Sequence, residues 1–207
     1  MRTLRHMWRS FLTPGAVVLC AALLLSPLPA AAQDTVQKLI ERGALQEAVD
    51  RAGSEGDNPV STYLAAQALI KMDNSGGAEE RFNRLRETGD GSWKAIGESG
   101  AKLLSGDVGG AMEAANRAVA ANGDNAYAHY QLGIVAMRES NFERATEALT
   151  RATELQPDLA YAHYYAAQSA QKLKQTAKMA DHFRYFLKFA PEAPERQAVQ
   201  AILRTLR

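Results

Sequence analysis

Cysteine is almost absent from this sequence. The 207 residues contain one, Cys20, which lies in an apolar stretch near the N-terminus. A single cysteine cannot form a disulfide within its own chain, so packing must stabilise the fold. Acylation of Cys20 is an alternative, but lipoprotein signals carry a small residue directly before the cysteine, where Leu19 is bulky. We therefore interpret Cys20 as an apolar member of the N-terminal segment.

The sequence also lacks an excess of charge of either sign, and it has few aromatic residues. It holds 24 Lys and Arg against 23 Asp and Glu, and aromatic residues make up 7% of the chain. Nucleic-acid binding needs clustered positive charge, so we expect no nucleic-acid partner. An alanine-rich, aromatic-poor composition indicates a soluble helical protein.

Long apolar runs are missing apart from one near the N-terminus. Three arginines precede the run Ala16–Leu25, which is followed by the small residues Ala30–Ala32. This order is typical of a secretory signal peptide, with cleavage predicted after Ala32. The run is too short to span a bilayer comfortably, so we expect no stable membrane span after cleavage, and an uncleaved anchor is the alternative. The mature chain would carry 24 − 3 = 21 basic and 23 acidic residues, a net charge of −2 with His neutral.

Two similar octapeptides show that the chain repeats itself. AYAHYQLG at Ala126–Gly133 and AYAHYYAA at Ala160–Ala167 stand 34 residues apart, and Pro157 and Pro191 follow them at the same distance. A repeat of this length is typical of a stacked array of supersecondary units. Such an array indicates a surface that binds a partner more directly than it indicates a catalytic site.

The register extends over most of the chain. Apolar residues recur every three or four positions in the second half of each unit, which places them on one face of a helix. Short polar or glycine-bearing segments predict turns between helices, and prolines predict helix ends. The predicted segments are 1–32 (signal peptide), 33–57 (degenerate first helical hairpin), 58–91 and 92–125 (repeat-like units), 126–159 and 160–193 (repeats), and 194–207 (C-terminal capping helix).

The pattern resembles the tetratricopeptide repeat family. In 126–159, Leu132-Gly133 match the family's Leu-Gly pair, Ala145 and Leu149 its A-x3-F pair, and Pro157 its terminal proline. His129 replaces the family's tryptophan. The resemblance implies an all-α fold, an α-solenoid of antiparallel helix pairs in a right-handed superhelix. A non-repetitive helical bundle is the alternative.

No group of residues in the sequence has the spacing that a catalytic site requires. The glycines of Gly106–Gly110 lack the pattern and the lysine of a phosphate-binding loop. His129 and His163 occupy equivalent positions in successive units, where helix spacing of about 8–10 Å keeps them from sharing one zinc ion. We therefore expect no metal, no cofactor and no enzymatic activity.

The resemblance also implies which residues would bind a ligand. In this family the first helix of each unit lines a concave groove, and aromatic rings there offer apolar area with a polar handle. Packing of Tyr127 and Tyr161 between units is the alternative. The matching positions are Trp93, Ile96, Tyr127, Tyr130, Ile134, Met137, Tyr161, Tyr164 and Gln168.

The sequence thus predicts a non-catalytic interaction scaffold or assembly factor in the bacterial periplasm. Its partner would be a peptide or helix segment of another envelope protein. One alternative is a recognition subunit of an envelope enzyme system, acting on the cell wall or in cytochrome c maturation. Another is a homo-oligomer formed through the C-terminal helix, whose apolar residues share one face.

Overall fold

The computed structural model describes residues 34–206. The predicted signal peptide, its cleavage site and Cys20 lie outside the described residues. Within that range the chain forms eleven α-helices and no strand. They are α1 (Val36–Glu41), α2 (Leu45–Ser54), α3 (Pro59–Lys71), α4 (Ser75–Thr88), α5 (Gly91–Leu104), α6 (Val108–Ala121), α7 (Ala126–Arg138), α8 (Phe142–Leu155), α9 (Ala160–Lys172), α10 (Thr176–Phe189) and α11 (Arg196–Arg204).

Consecutive helices pack in antiparallel pairs, and each pair packs on the next. The first helices also contact one another across neighbouring pairs, α1 with α3, α5 with α7, and α7 with α9. The first helices therefore line one side of the array, which we call the inner face. The predicted all-α solenoid is confirmed, and α11 caps its end because Val199 is buried against the core.

Polar caps start the helices at regular intervals. The side chains of Asn74, Asp107 and Asn141 each accept a backbone N–H bond three residues on, at the start of α4, α6 and α8. Such a cap satisfies one of the donors that a helix start leaves without an intrahelical partner. These Asn and Asp residues thus begin the second helices α4, α6 and α8 at the same point of three successive repeats.

The turn inside each pair has one conformation throughout. Its central residue lies in the left-handed region, at φ +57° to +85°, in a position occupied by Gly43, Asp73, Gly106, Ser140 and Lys174. The next residue donates to the carbonyl five positions back, as Asn141 does to Ala136 at 2.9 Å. This is the Schellman arrangement, which ends a helix by satisfying its last carbonyls. The array therefore reverses direction by the same bonds in every pair.

Close helix approach explains the Leu-Gly pair of α7. A Cβ at Gly133 would lie 2.4 Å from Cγ of Leu149 on α8. Only glycine lets α7 and α8 approach this far without moving the leucine. The pair thus fixes how closely the two helices of this repeat pack.

Candidate functional site on the inner face

The aromatic side chains of the first helices meet on the inner face. Tyr63 of α3 lies 5.6 Å from Tyr127 and 6.1 Å from Tyr130 between ring centroids, both edge to face. Trp93 of α5 lies 5.5 Å from Tyr127. Tilted and edge-to-face pairs at these separations are favourable beyond the area they bury. The rings therefore form a connected cluster of the chain's own side chains.

Helix α1 lies across part of this face. Its apolar residues Val36, Leu39 and Ile40 are buried in the core. Gln37 Nε2 donates to the carbonyl of Asp158 at 2.7 Å, and Lys38 Nζ donates to the carbonyl of Phe189 at 3.1 Å. These bonds join the first helix to the loop before α9 and to the end of α10. The N-terminal hairpin thus closes over the C-terminal half of the array.

An ionic contact strengthens the closure. Lys71, at the end of α3, pairs with Glu195 at 3.0 Å and lies 4.1 Å from the ring centroid of Tyr161. The Tyr161 hydroxyl donates to the other oxygen of Glu195 at 2.9 Å. Burial disfavours the Glu195 carboxylate, but the bond and charge of Lys71 hold its pKa below the usual range. Burial and the nearby Glu195 charge raise the pKa of Tyr161, so its hydroxyl stays a donor.

The structure divides the predicted ligand-binding residues into two groups. Ile96, Tyr127, Tyr130 and Tyr161 are each exposed by 8% or less, because neighbouring rings and helices cover them. Burial raises the pKa of Tyr127 to about 12. In this conformation these four side chains face the interior, and their binding role stays a prediction. The remaining five are partly exposed: Trp93, Ile134, Met137, Tyr164 and Gln168.

An open cavity of about 510 Å³ lies beside the covered part of the inner face. Its apolar lining comes from the ends of α3, α5 and α7, from Phe82 of α4 and from Tyr165 of α9. The polar lining residues are Gln67, Ser75 and Gln131, with Asp73 and Arg138 bringing one charge of each sign. An apolar lining with few polar groups suits an apolar side chain of a ligand. The apolar lining residues are Ile70, Phe82, Leu103, Leu104, Ile134, Met137 and Tyr165.

The repeated histidines bond to the turn that precedes their helix. His129 Nε2 lies 2.9 Å from the carbonyl oxygen of Gly123, and His163 Nε2 lies 3.0 Å from that of Pro157. A carbonyl only accepts, so Nε2 carries the proton in both rings. The equivalent histidines therefore tie successive repeats together.

Two histidines of the same helix pair, His163 of α9 and His182 of α10, contact each other, which the sequence did not predict. His163 Nδ1 lies 3.2 Å from His182 Nδ1, and the His182 ring reaches Thr150 at 3.4 Å. Since Nε2 of His163 is the donor to Pro157, its Nδ1 accepts from His182. Burial lowers the pKa of both rings, and for His182 the neighbouring imidazole adds to the effect and brings the value to about 4. The 34-residue spacing relates equivalent positions in successive repeats, so it carries no signal for a contact within one repeat.

Neither a metal cluster nor a membrane span emerges from the part of the chain that the structure describes. Residues 34–206 hold no group of three or more His, Cys, Asp or Glu side chains placed to bind one ion. No helix in the same range is long and apolar enough to cross a bilayer.

Comparison with known proteins identifies the repeat. A sequence model of the tetratricopeptide repeat matches residues 126–159. No curated protein sequence matches the chain significantly.

Solved structures share the fold at low identity. TTC0263, a thermophilic TPR protein of Thermus thermophilus, is 18% identical, covers 79% of this chain and 90% of its own, and has a TM-score of 0.57. The Arabidopsis OM64 TPR domain is 18% identical and covers 57% of this chain and 98% of its own, with a TM-score of 0.54. MamA from Desulfovibrio magneticus RS-1 is 21% identical and covers 74% and 90%, with a TM-score of 0.46. The first two establish the likeness in fold.

Proposed function

Because residues 126–159 are a tetratricopeptide repeat and the chain has the α-solenoid fold of such repeats, we propose that this protein is a non-catalytic interaction scaffold. It binds an apolar peptide or helix segment of a partner protein at the open cavity of the inner face. The ends of α3, α5 and α7, together with Phe82 of α4 and Tyr165 of α9, line this site.

The observation that carries this proposal is the exposed apolar lining of the cavity. Ile70 is 37% exposed, and Ile134 and Met137 are only partly covered. Placing an apolar side chain of a partner on these residues would remove their surface from water, at roughly 25 cal/mol per Å². Asp73 and Arg138 make no ion pair among the described residues and are available to fix the orientation of a ligand.

The proposed location is the periplasm, and its support is the N-terminal sequence. Basic residues, a short apolar run and the small residues Ala30–Ala32 occur in the order of a secretory signal. N-terminal sequencing of the protein from a periplasmic fraction should give Gln33 as the first residue. A chain that keeps residues 1–32 and stays in the cytoplasmic fraction would contradict this location.

Site-specific photocrosslinking tests the binding site. A photoreactive phenylalanine analogue at Ile70, which lines the cavity, should crosslink to a discrete partner in cells. The same analogue at Glu113, exposed on the second helix α6, is the matched control and should not. Met137→Asp should abolish the crosslink from position 70, because it places a charge in the apolar lining.

Two outcomes would contradict the cavity as the binding site. One is equal crosslinking from positions 70 and 113. The other is an unchanged crosslink in Met137→Asp while its circular dichroism spectrum matches that of the unsubstituted chain.

A further inference from the structure

Helix α1 is itself an example of what the inner face binds. Its buried residues Val36, Leu39 and Ile40 stand at positions i, i+3 and i+4, the spacing of one helical stripe. All three belong to the common core cluster, and Ile40 faces a surface formed mainly by Leu64, Tyr130, Leu159, Tyr161 and Tyr165. Aromatic and aliphatic side chains of three different first helices make up this surface.

The polar side of α1 is anchored through bonds that do not depend on a particular partner residue. Gln37 and Lys38 donate to main-chain carbonyls, those of Asp158 and Phe189. Gln156 Nε2 donates in turn to Gln37 Oε1 at 3.2 Å. An amide or ammonium group on any helix in the same place could make the two bonds to carbonyls.

The fit beneath α1 is incomplete. A void of about 30 Å³ remains between α1 and the rings of Tyr130, Tyr161 and Tyr165. The Glu41 carboxylate is 3% exposed, with only Lys38 and Gln37 as hydrogen-bond partners. Burial outweighs those two bonds and raises its pKa. A buried carboxylate with a perturbed pKa makes the docked position of α1 costly at neutral pH.

The geometry also lets α1 leave without the rest of the array. The helix has six residues and is too short to be stable by itself. Gly43, at φ +82° in the turn before α2, is of the residue type whose backbone angles change with the least steric cost. The following helix α2 packs on α3 as well as on α1, so the contact between α2 and α3 remains when α1 leaves.

We propose that the surface under α1 is a second binding site, which α1 occupies in the absence of a partner. Its ligand is an amphipathic helix with apolar residues at i, i+3 and i+4 and a Gln or Lys side chain between them. Such a helix displaces α1 and takes its bonds to the carbonyls of Asp158 and Phe189. The inference rests on the proposed scaffold function and adds a competing segment of the chain itself.

A peptide with the sequence of residues 34–43 serves as the probe, carrying a fluorescein label at its N-terminus and an amide at its C-terminus. Leu39→Asp in the full chain should release α1 and open the surface. Fluorescence anisotropy should then show binding at least about 10-fold tighter than to the unsubstituted chain, where α1 competes for the site. Unlabelled peptide should displace the probe, and a peptide with both Leu39 and Ile40 replaced by Asp should not.

Val199→Asp is the matched control variant. It places the same charge at a buried residue of the other terminal helix, α11, and should leave the affinity for the probe at the level of the unsubstituted chain. Equal affinity in Leu39→Asp and Val199→Asp, or no binding to either, would overturn the proposal.

Hydrogen exchange of the unsubstituted chain provides a second measurement in case Leu39→Asp fails to fold. We expect α1 amides to exchange through a local opening, at least about 10-fold faster than those of α7 and α9. Exchange of α1 only through global unfolding would overturn the proposal. Both measurements are independent of the crosslinking at Ile70. The proposed site under α1 and the proposed site in the open cavity are therefore tested separately.

Discussion

The Tyr63 hydroxyl donates a 2.9 Å hydrogen bond to Oε1 of Gln131, a residue 68 positions away and two repeats further along the array. Both side chains are fully buried. Gln131 Nε2 donates to Oγ of Ser99 at 3.1 Å, and Ser99 donates to the carbonyl of Ala111 at 2.9 Å. A buried, connected network of this kind joins α3, α5, α6 and α7, so three successive repeats share one set of polar contacts.

Gln131→Leu should therefore destabilise the protein more than Tyr63→Phe. The leucine leaves the Tyr63 hydroxyl without its acceptor in the core, at a cost of about 1–3 kcal/mol in the free energy of unfolding. Tyr63→Phe removes that hydroxyl, although it leaves Oε1 of Gln131 unpaired. Urea unfolding of both variants and of the double variant measures the coupling. Strictly additive effects would show that the bond contributes nothing of its own.

The left-handed turns predict a stabilising substitution. Ser140 holds φ +62°, which costs a residue with a side chain about 1–2 kcal/mol. Ser140→Gly should raise the free energy of unfolding by about 0.5–1 kcal/mol, since glycine adopts this φ without strain but loses more entropy on folding. Gly106→Ala, at φ +85° with nothing near its Cβ position, should lower stability by a similar amount. Thermal unfolding would contradict the strain argument if both variants shifted in the same direction.

The close approach at Gly133 predicts a contrast between two glycines. Gly133→Ala forces a methyl group against Leu149 and should cost about 1–3 kcal/mol. Gly109→Ala, also helical but with no atom near its Cβ, should instead be neutral or stabilise by less than about 1 kcal/mol. Urea unfolding of the pair separates crowding from helix propensity, and a loss of stability in Gly109→Ala would count against that separation.

The paired histidines predict an acid-sensitive stability. The pKa of His182 is lowered to about 4 in the folded protein by burial and by His163. The pKa of a histidine in the unfolded chain is about 6.5. As the pH falls below that value the unfolded state binds more protons, so stability is lost toward acid pH. Since His182 is only partly buried, we expect a loss of about 1 kcal/mol between pH 7 and pH 5.

Two variants test the assignment of this pH dependence. His182→Leu should flatten the stability profile between pH 7 and pH 5, whatever its effect on stability at pH 7. His129→Gln, at the equivalent of His163 in the preceding repeat, should keep the slope of the unsubstituted chain. An unchanged slope in His182→Leu would assign the acid sensitivity to other groups.

The fold could be predicted because the residues that determine it act over short distances along the chain and recur in each repeat. The 34-residue register, the polar caps such as Asn141 and the small residue Gly133 each act within one helix pair or between neighbours. The periodicity, together with the resemblance to the tetratricopeptide repeat family, therefore predicted the all-α solenoid. Helix α11 was predicted as a cap from its apolar stripe, and Val199 packs accordingly.

The site was less predictable because its decisive contacts are distant in sequence. Gln37 and Asp158 are 121 residues apart, and Lys38 and Phe189 are 151 residues apart. No periodic signal links such positions, so the covering of Tyr130 by α1 could not be foreseen. Ile134 lines the open cavity, and Tyr127, Tyr130 and Tyr161 are buried in this conformation, while the binding role of all four stays a prediction.

The contact between the two ends of the array changes how it can come apart. In an open solenoid each terminal unit has one neighbour, and fraying starts there. Here a Cβ at Gly43 would lie 2.9 Å from Pro194, and Lys38 reaches the last carbonyl of α10. Loss of order at the beginning of the chain therefore also removes contacts from its end, among them the bond that Lys38 donates to the end of α10.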